Sequence, residues 1–333
     1  MTDEFDTPGG DSQQPEPRFD RYGRYLLPDP TGGKQKPWTR ATTFAKTVAD
    51  TFGLSRWEMR MVAAGIGMRR DLYALAASAT VNDKDTLDRI AKDAKEAAAA
   101  SSGANLGTAL HTFTEQVDRG EPVSAPAPWD ADIEAYRKAM RTAGIVAVPE
   151  WVERVVVLPD LGVAGKLDRI VRLPEGGLAI GDVKTGKDLS YSWGEIAIQL
   201  ALYANAPLMW NGATGTYVPM PRLNPAMAIV MHLPAGSGTC NLYSVNIAAG
   251  WVAAHLCSEV RGWRARKDLA EVYATSPRPD RVGEANRIHG AIKAATSEPE
   301  LVALYRQHQP TGAWTTAHTA AAARRKQDLY ATA

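Results

Sequence analysis

The order of hydrophobic and polar positions divides the chain into helical and β segments. Apolar residues recur at helical spacing over much of the chain before Ile145, and short β-branched runs bounded by Pro and Gly follow that position. The clearest helices are predicted over residues 83–100, 105–119, 130–142, 191–208 and 248–266. This order of elements indicates an α/β fold, in which helices flank a mixed central β-sheet and helical additions stand at both ends.

Composition and pattern together divide the chain into four regions. Residues 1–17 contain five acids and no bases, which predicts a disordered acidic tail. Residues 18–104 begin with a segment rich in aromatic and basic residues, which we expect to be an irregular arm, and continue as helices. The α/β core is expected over residues 105–270, and a helical appendage over residues 271–333.

The composition excludes several classes of protein. The 333 residues carry 38 Lys and Arg against 37 Asp and Glu, so the formal net charge is only +1. This balance argues against a wholly basic coating protein, although a basic groove can coexist with acidic surface elsewhere. The two cysteines are too few for a disulfide scaffold, a four-cysteine zinc site or a cysteine-ligated iron–sulfur cluster.

The amino terminus, the hydropathy and the cysteines bear on localisation. Residues 1–17 lack the basic and apolar segments of a signal peptide, and no uncharged apolar run approaches the roughly 18 residues that a membrane helix needs. Cys240 and Cys257 are expected to be reduced and buried. The sequence therefore predicts a cytoplasmic protein without a membrane partner.

Two carboxylates and a lysine interrupt apolar β segments. Asp168 lies in one β-branched run, and Asp182 and Lys184 lie in the next. Desolvating a carboxylate in such a run is costly unless it is paired or bound to a cation. Two carboxylates that meet across a hairpin offer the oxygen ligands that Mg²⁺ or Mn²⁺ prefers. The alternative interpretation is a surface ion pair between Lys184 and one aspartate.

The connection between the two strands decides whether these side chains meet. Asp182 and Lys184 share a face because alternate residues of a strand do. Asp168 joins them if the connection around Pro174 and Gly177 holds an odd number of unpaired residues, or if a bulge shifts the register. We predict that it does, and opposite faces for the two aspartates would exclude the metal site.

Two helical segments add polar residues at a spacing of one turn. His111 and Glu115 stand at i, i+4 and share a helix face, and Gly107 lies one turn before them. Gln199 and Tyr203 have the same spacing in the helix after the second strand. Taken alone, the first pair is typical of a helix surface, and Tyr203 is typical of a core.

Taken in order, these residues resemble the RecB-like branch of the PD-(D/E)xK nuclease superfamily. That branch has a helix with G-x-x-x-H-x-x-x-E, a strand with G-x-x-D, a strand with D-x-K and a helix with Q-x-x-x-Y. The matching residues here are Gly107, His111, Glu115, Gly165, Asp168, Asp182, Lys184, Gln199 and Tyr203. The resemblance covers residues 105–205 and implies a restriction-endonuclease-like core. It also implies a divalent-metal-dependent DNA exonuclease of phage or bacterial recombination, replication or repair.

The resemblance implies the central roles as follows. Asp168 and Asp182 would bind Mg²⁺ or Mn²⁺ with the backbone carbonyl of Val183, and His111 would complete the ligand set. Lys184 would position or activate the attacking water, acting as a catalytic residue together with the two aspartates.

Further roles are implied around that centre. Gln199 and Tyr203 would hold the DNA backbone and order the site. Glu115 would orient His111 or bind a second metal. Glu153, on the preceding strand, would act through these residues without binding the metal itself.

Two departures from related proteins narrow the expected cofactors. Many relatives, including the CRISPR-associated ones, carry an iron–sulfur cluster on four cysteines, and this chain has two, so we expect no cluster. The segment around Lys166 lacks the spacing of a phosphate-binding loop, so we expect no nucleotide.

The DNA contacts are expected outside the core motifs. Residues 18–40 and 258–333 combine basic and aromatic side chains suited to DNA, and the alternative for both is a solvated surface. Trp57 and Trp251 are expected in hydrophobic cores.

Several functions remain open at this point. The leading hypothesis is an exonuclease acting on linear ends of single- or double-stranded DNA, in the host cytoplasm if the chain is phage-encoded. The alternatives are a structure-specific or non-specific endonuclease, an RNA-processing nuclease, and a catalytically weak DNA-binding recombination factor. A recombination protein or single-strand-binding protein is a possible partner.

Overall fold

The chain forms two compact units, Met1–Arg266 and Lys267–Ala333. The computed structural model describes residues 17–99, 104–273 and 281–331, so the predicted acidic tail lies outside the described residues except for Pro17. The first unit contains the predicted helical region and most of the predicted α/β core, and the second unit contains the predicted helical appendage.

The first unit is built on two mixed β-sheets, and not on the single central sheet predicted from the sequence. Among the described residues, a seven-stranded and a five-stranded sheet are formed. In chain order the strands are β1 (Arg18–Phe19), β2 (Tyr25–Pro28), β3 (Gln35–Arg40), β4 (Val146–Ala147), β5 (Arg154–Leu158), β6 (Val163–Leu167), β7 (Arg169–Arg172), β8 (Leu178–Lys184), β9 (Leu208–Asn211), β10 (Thr216–Pro219), β11 (Met227–His232) and β12 (Asn241–Asn246). The sheet orders are β1-β2-β3-β6-β5-β9-β10 and β12-β11-β8-β7-β4.

Helices cover the sheets and form the second unit. The described α-helices are α1 (Ala41–Ala45), α2 (Phe52–Met68), α3 (Arg70–Ser78), α4 (Lys84–Ala99), α5 (Ala104–Arg119), α6 (Trp129–Ala143), α7 (Trp193–Ala204), α8 (Ile247–Ala265), α9 (Arg281–Ala294), α10 (Glu298–His308) and α11 (Thr316–Ala331). The fold is therefore α/β, with mixed sheets flanked by helices.

The segment predicted as an irregular arm is instead a β-meander. Strands β1, β2 and β3 pair antiparallel in sequence, and β3 then pairs parallel with β6 through Thr39 and Arg40. Tyr25, Leu27 and Trp38 are buried on one face of this meander, against Val155, Val157 and Ala164. Burial of these large side chains fixes the meander to the sheet.

The helix predicted over residues 191–208 is shorter than expected. It ends at Ala204, and Leu208 already begins β9. Pro207 disfavours helical geometry at the residue before it, which explains why the chain leaves the helix there.

The main core lies between the sheets and helices α7 and α8. Helix α7 is apolar on nearly every side, as expected for a central helix, and Leu200 and Leu202 are fully buried. Helix α8 crosses α7 closely at Gly250. A Cβ at that position would stand only 2.2 Å from the carbonyl oxygen of Ala197. Trp251 packs against this core as predicted, whereas Trp57 was wrongly assigned to a core and is 38% exposed on α2.

The second unit has a separate small core. Ile288, Ile292, Ala295 and Leu301 are buried together where α9, α10 and α11 pack. Across the described part of the chain, none of the helices has both the length and the apolar content needed to cross a membrane.

Candidate active site

The hairpin β7–β8 brings the two aspartates close enough for their charges to interact. Arg172 pairs with Leu178, so the connecting residues outside the register are 173–177, an odd number. Arg169 pairs with Gly181, which is the last pair of the ladder, and the same register extended by one residue would set Asp168 opposite Asp182. Directly opposed residues share a face. The odd connection that we predicted is therefore present, and the shared face of the two aspartates stays a prediction.

Asp168 stands at the junction of the two sheets. It interrupts a run that would otherwise be one strand: β6 belongs to the seven-stranded sheet and β7 to the five-stranded sheet. Leu167 and Ile170 are three positions apart yet bury in the same core, so the alternation of faces shifts by one at Asp168. The Asp168 Oδ2 accepts a hydrogen bond of 2.8 Å from the amide of Val183. The break thus turns the carboxylate towards β8.

Asp182 is the carboxylate of the site whose ionised form is most disfavoured by burial. Its side chain is buried, and neither carboxylate oxygen has a hydrogen bond. Lys184 Nζ lies 2.7 Å from Oδ2 and forms an ion pair with it. Burial, followed by the charge of Asp168, raises the pKa of Asp182 to about 7, although Lys184 opposes the shift. An additional cation would stabilise the ionised form.

Lys184 keeps its proton beside these carboxylates. Burial lowers the pKa of Lys184, but the charges of Asp182 and Asp168 outweigh burial and raise that pKa above its usual value. The ammonium is one quarter exposed, so it faces both the buried carboxylates and the solvent. It is placed to attract an anionic group at the site.

Helix α5 brings His111 to the same junction. A Cβ at Gly107 would stand 2.5 Å from Thr185 Oγ1, so a larger residue there would require Thr185 to move and α5 approaches the end of β8 closely. His111 Nδ1 lies 3.7 Å from Asp168 Oδ2. Burial, which outweighs the charge of Asp168, lowers the pKa of His111. A neutral imidazole is the form that can ligate a metal.

A further cluster of charges adjoins Asp168. Glu153 donates its amide to the Asp168 carbonyl at 2.8 Å, and its side chain pairs with Lys166. Glu115 lies near both, and its carboxylate is 3.5 Å from Arg119. Burial raises the pKa of both glutamates, and the charge of Asp168 adds to the shift. The structure therefore brings Glu115 and Glu153 together at the site.

Glu153 also has an unusual backbone. Its φ of 58° is the only positive value at a non-glycine position among the described residues. Left-handed backbone at a residue other than glycine costs about 1–2 kcal/mol. The strain is held by the bond to Asp168 and the ion pair with Lys166, and such strain is often found at functional sites.

Gln199 and Tyr203 lie on α7 behind the carboxylates. A Cβ at Gly165 would stand 2.5 Å from Tyr203 Cε1, so the ring rests directly on β6. Gln199 Nε2 donates to Tyr203 Oη at 3.2 Å. Burial, followed by the charges of Asp182 and Asp168, raises the pKa of Tyr203 well above its usual value. Tyr203 is buried and lies next to the aspartates, whereas Gln199 is only half-buried.

Sequence reasoning missed a buried cation on the opposite face of β7. Arg169 is completely buried and pairs with Asp118 of α5. Its Nη1 also donates to Tyr136 Oη at 2.9 Å, which links α6 to the same group. The signal was present, because an arginine in a β-branched run needs a buried partner. Lys166 was also missed, since it was judged only as a nucleotide-binding residue.

The donors fit a divalent cation but do not enclose one. Over the described ranges of the chain, no three His, Cys, Asp or Glu side chains are grouped so that they could hold a metal ion. Asp168 and Asp182 nevertheless offer hard oxygen donors, and both oxygens of Asp182 lack hydrogen bonds. The chemistry suits Mg²⁺ or Mn²⁺, with the remaining ligands left to His111, a backbone carbonyl, water or substrate.

Comparison with known proteins gives no match that bears on the function of this chain. The chain matches no protein-family model, and no curated protein matches it. The functional assignment therefore depends on the residues described above and on their arrangement.

Proposed function

We propose that this protein is a divalent-metal-dependent DNA exonuclease with a PD-(D/E)xK core of the RecB-like type, acting in phage or bacterial recombination, replication or repair. The observation that carries the proposal is the meeting of Asp168, Asp182 and Lys184 across the hairpin β7–β8. Burial raises the pKa of Asp182 even though Lys184 lies beside it, and a bound cation would offset the cost of ionising this carboxylate.

The order of elements supports the same proposal. Helix α5 carries Gly107 and His111, and β6 carries Gly165. Asp168 lies between β6 and β7, and β8 and α7 follow. Both glycines stand where a side chain would collide with a neighbouring element. The motif residues thus have physical reasons for their identity in this fold.

The metal would be held by Asp168 and Asp182, with His111 and the carbonyl of Val183 as further ligands. When bound, Mg²⁺ or Mn²⁺ supplies an acidic water and neutralises charge on the phosphate. Lys184 remains protonated next to this centre, so it can orient the water and stabilise negative charge on the phosphate. Tyr203, which accepts a hydrogen bond from Gln199, would order the site from the side of α7.

A DNA-binding factor without catalysis fits the site less well. Replacing a buried charged pair by apolar residues is often neutral or stabilising, so a protein that only bound DNA would lose no stability by replacing both Asp182 and Lys184 with apolar residues. No feature of the site distinguishes exonuclease from endonuclease action, which is decided by experiment.

The test incubates the purified protein with linear and closed-circular DNA, single- and double-stranded, in Mg²⁺, Mn²⁺ or EDTA. The proposal predicts metal-dependent loss of nucleotides from linear ends and intact circles. Cleavage of circles would favour the endonuclease, and cleavage confined to RNA would favour the RNA-processing nuclease. Binding without any cleavage would favour the recombination factor.

A further inference from the structure

The arm, residues 18–40, carries an excess of positive charge on its surface. Its two acids are already paired, Asp20 with Arg24 and Asp29 with Lys36. Side-chain and backbone donation from Lys36 and Thr31 lowers the pKa of Asp29 to about 2. The four other bases are exposed and have no ion pair to the described part of the chain: Arg18, Arg21, Lys34 and Arg40. These cations are available to an anionic partner.

Two exposed aromatic rings lie among these cations. Tyr22 is 67% exposed, with the guanidinium of Arg21 4.7 Å and that of Arg24 5.5 Å from its ring centre. Phe19 is 46% exposed, with Arg40 6.0 Å from its ring. Flat rings beside cations suit a partner that presents both π-faces and negative charge.

The turn that presents Tyr22 is already ordered. The amides of Tyr22 and Arg24 both donate to Asp20 Oδ1 at 2.9 Å, and Gly23 takes the left-handed conformation that the turn needs. A ring held in place loses little conformational freedom on binding, so its contact contributes more to affinity.

The arm is hydrogen-bonded to the strand that leads to the candidate active site. Arg40 of β3 pairs with Ala164 of β6, and Asp168 follows four positions later in the chain, directly after the end of β6. At about 3.3 Å per residue, the distance along the chain is roughly 13 Å. The inner strand of the arm, β3, therefore lies beside the strand that leads to the carboxylates.

We propose that the arm binds single-stranded nucleic acid, stacking bases on Tyr22 and Phe19 while Arg21 and Arg40 bind phosphates. A duplex keeps its base faces stacked inside, so exposed rings would add nothing to its binding, and single strands offer those faces. The binding stands on the arm alone. The further statement that the bound nucleic acid runs towards Asp168 rests on the proposed function.

Binding is measured in EDTA by the fluorescence anisotropy of labelled oligothymidine, oligouridine and a duplex. Tyr22→Ala should bind both single strands about tenfold more weakly and the duplex unchanged. Tyr73→Ala is the matched control, because Tyr73 on α3 is 66% exposed and lies outside the arm. Circular dichroism and thermal unfolding verify that both variants fold.

The arginines are tested by the salt dependence of single-strand binding. Each lost phosphate contact reduces the slope of log K against log salt by about 0.7, so Arg21→Gln with Arg40→Gln should reduce it by about 1.4. The exposed pair Arg60→Gln and Arg70→Gln should leave the slope unchanged.

The outcomes separate this proposal from the proposed function. Equal losses for Tyr22→Ala and Tyr73→Ala, or an equal loss on duplex, would overturn the single-strand surface even if the protein cleaves DNA. Loss of single-strand binding specific to Tyr22→Ala would uphold the surface even in a protein that cleaves nothing.

Discussion

At the scale of single residues, Asp182 determines how the site responds to pH. Its folded pKa of about 7 lies above the ordinary 3.8, so the folded protein holds the proton more tightly than the unfolded chain does. The ionised carboxylate is therefore a cost above pH 7. That cost declines between pH 7 and pH 4 and is absent below about pH 4. Each pKa unit corresponds to about 1.4 kcal/mol, so the penalty is on the order of a few kcal/mol.

Asp182→Asn should accordingly stabilise the metal-free protein. In EDTA at pH 8 its melting temperature should exceed that of the wild type by several degrees, and the difference should vanish as the pH falls below about 4. Adding Mn²⁺ should raise the melting temperature of the wild type alone. Differential scanning fluorimetry across pH 4–8 measures both effects. A variant less stable at pH 8, or a difference independent of pH, would contradict this account.

Single residues were also where the sequence was most informative. Asp168, Asp182 and Lys184 are visible because charge is rare in β-branched runs, and the odd connection between their strands followed from strand geometry. Arg169 carried the same signal and was overlooked. The pairing of Lys166 with Glu153 is not readable from sequence, because periodicity does not assign the pairing partners of β5 and β6.

At the scale of elements, two glycines set how closely helices approach strands. Gly165 lets the Tyr203 ring rest on β6, and Gly107 lets α5 reach Thr185. Helix positions were predictable from periodicity, and α5, for example, begins and ends within one residue of the expected range. The arm strands were not, because they are short and contain Pro28 and Pro37, which weaken a strand pattern.

Gly165→Ala should destabilise the protein by about 1–3 kcal/mol, because the new Cβ would overlap the Tyr203 ring and Ala41. Gly177→Ala is the control, since nothing lies within 4 Å of its Cβ position and its φ is not positive. Urea denaturation measures both variants. Equal stability of the two would show that Tyr203 does not rest on β6 as described.

The buried pair Arg169–Asp118 joins β7 to α5 on the face opposite the aspartates. Arg169→Met alone should cost about 3–5 kcal/mol, because it leaves the Asp118 charge uncompensated. The double variant Arg169→Met with Asp118→Leu should recover most of that stability. Its α5 amides should still exchange faster than in the wild type, and cleavage should stay reduced because His111 is carried by that helix. Full recovery of exchange protection and cleavage would assign the pair a purely structural role.

At the scale of the whole molecule, the site belongs to one of the two units. All the candidate site residues lie before Arg266, and the second unit has its own core around Ile288 and Ile292. The near-neutral net charge is an average over unlike parts, such as the basic arm and the acidic residues 1–17. The division of strands between two sheets could not be predicted, because periodicity assigns faces and does not assign pairing partners.

The chain of residues 1–266 should therefore fold and cleave by itself. Its core does not depend on the burial of Ile288 and Ile292. Its melting temperature should therefore stay within a few degrees of that of the full chain, and its cleavage rate within about twofold. Circular dichroism and a cleavage assay of the shortened chain provide the measurement. An unfolded or inactive product would show that residues 267–333 are needed by the site.

The most direct test of the central claim is the rate of nucleotide release from labelled linear DNA as a function of Mg²⁺ concentration. The account predicts a rate that saturates with Mg²⁺, falls by about 100-fold or more in Asp182→Asn and Lys184→Met, and is unchanged in the exposed control Lys187→Met. Cleavage that persists in EDTA, or that survives in Asp182→Asn, would contradict it.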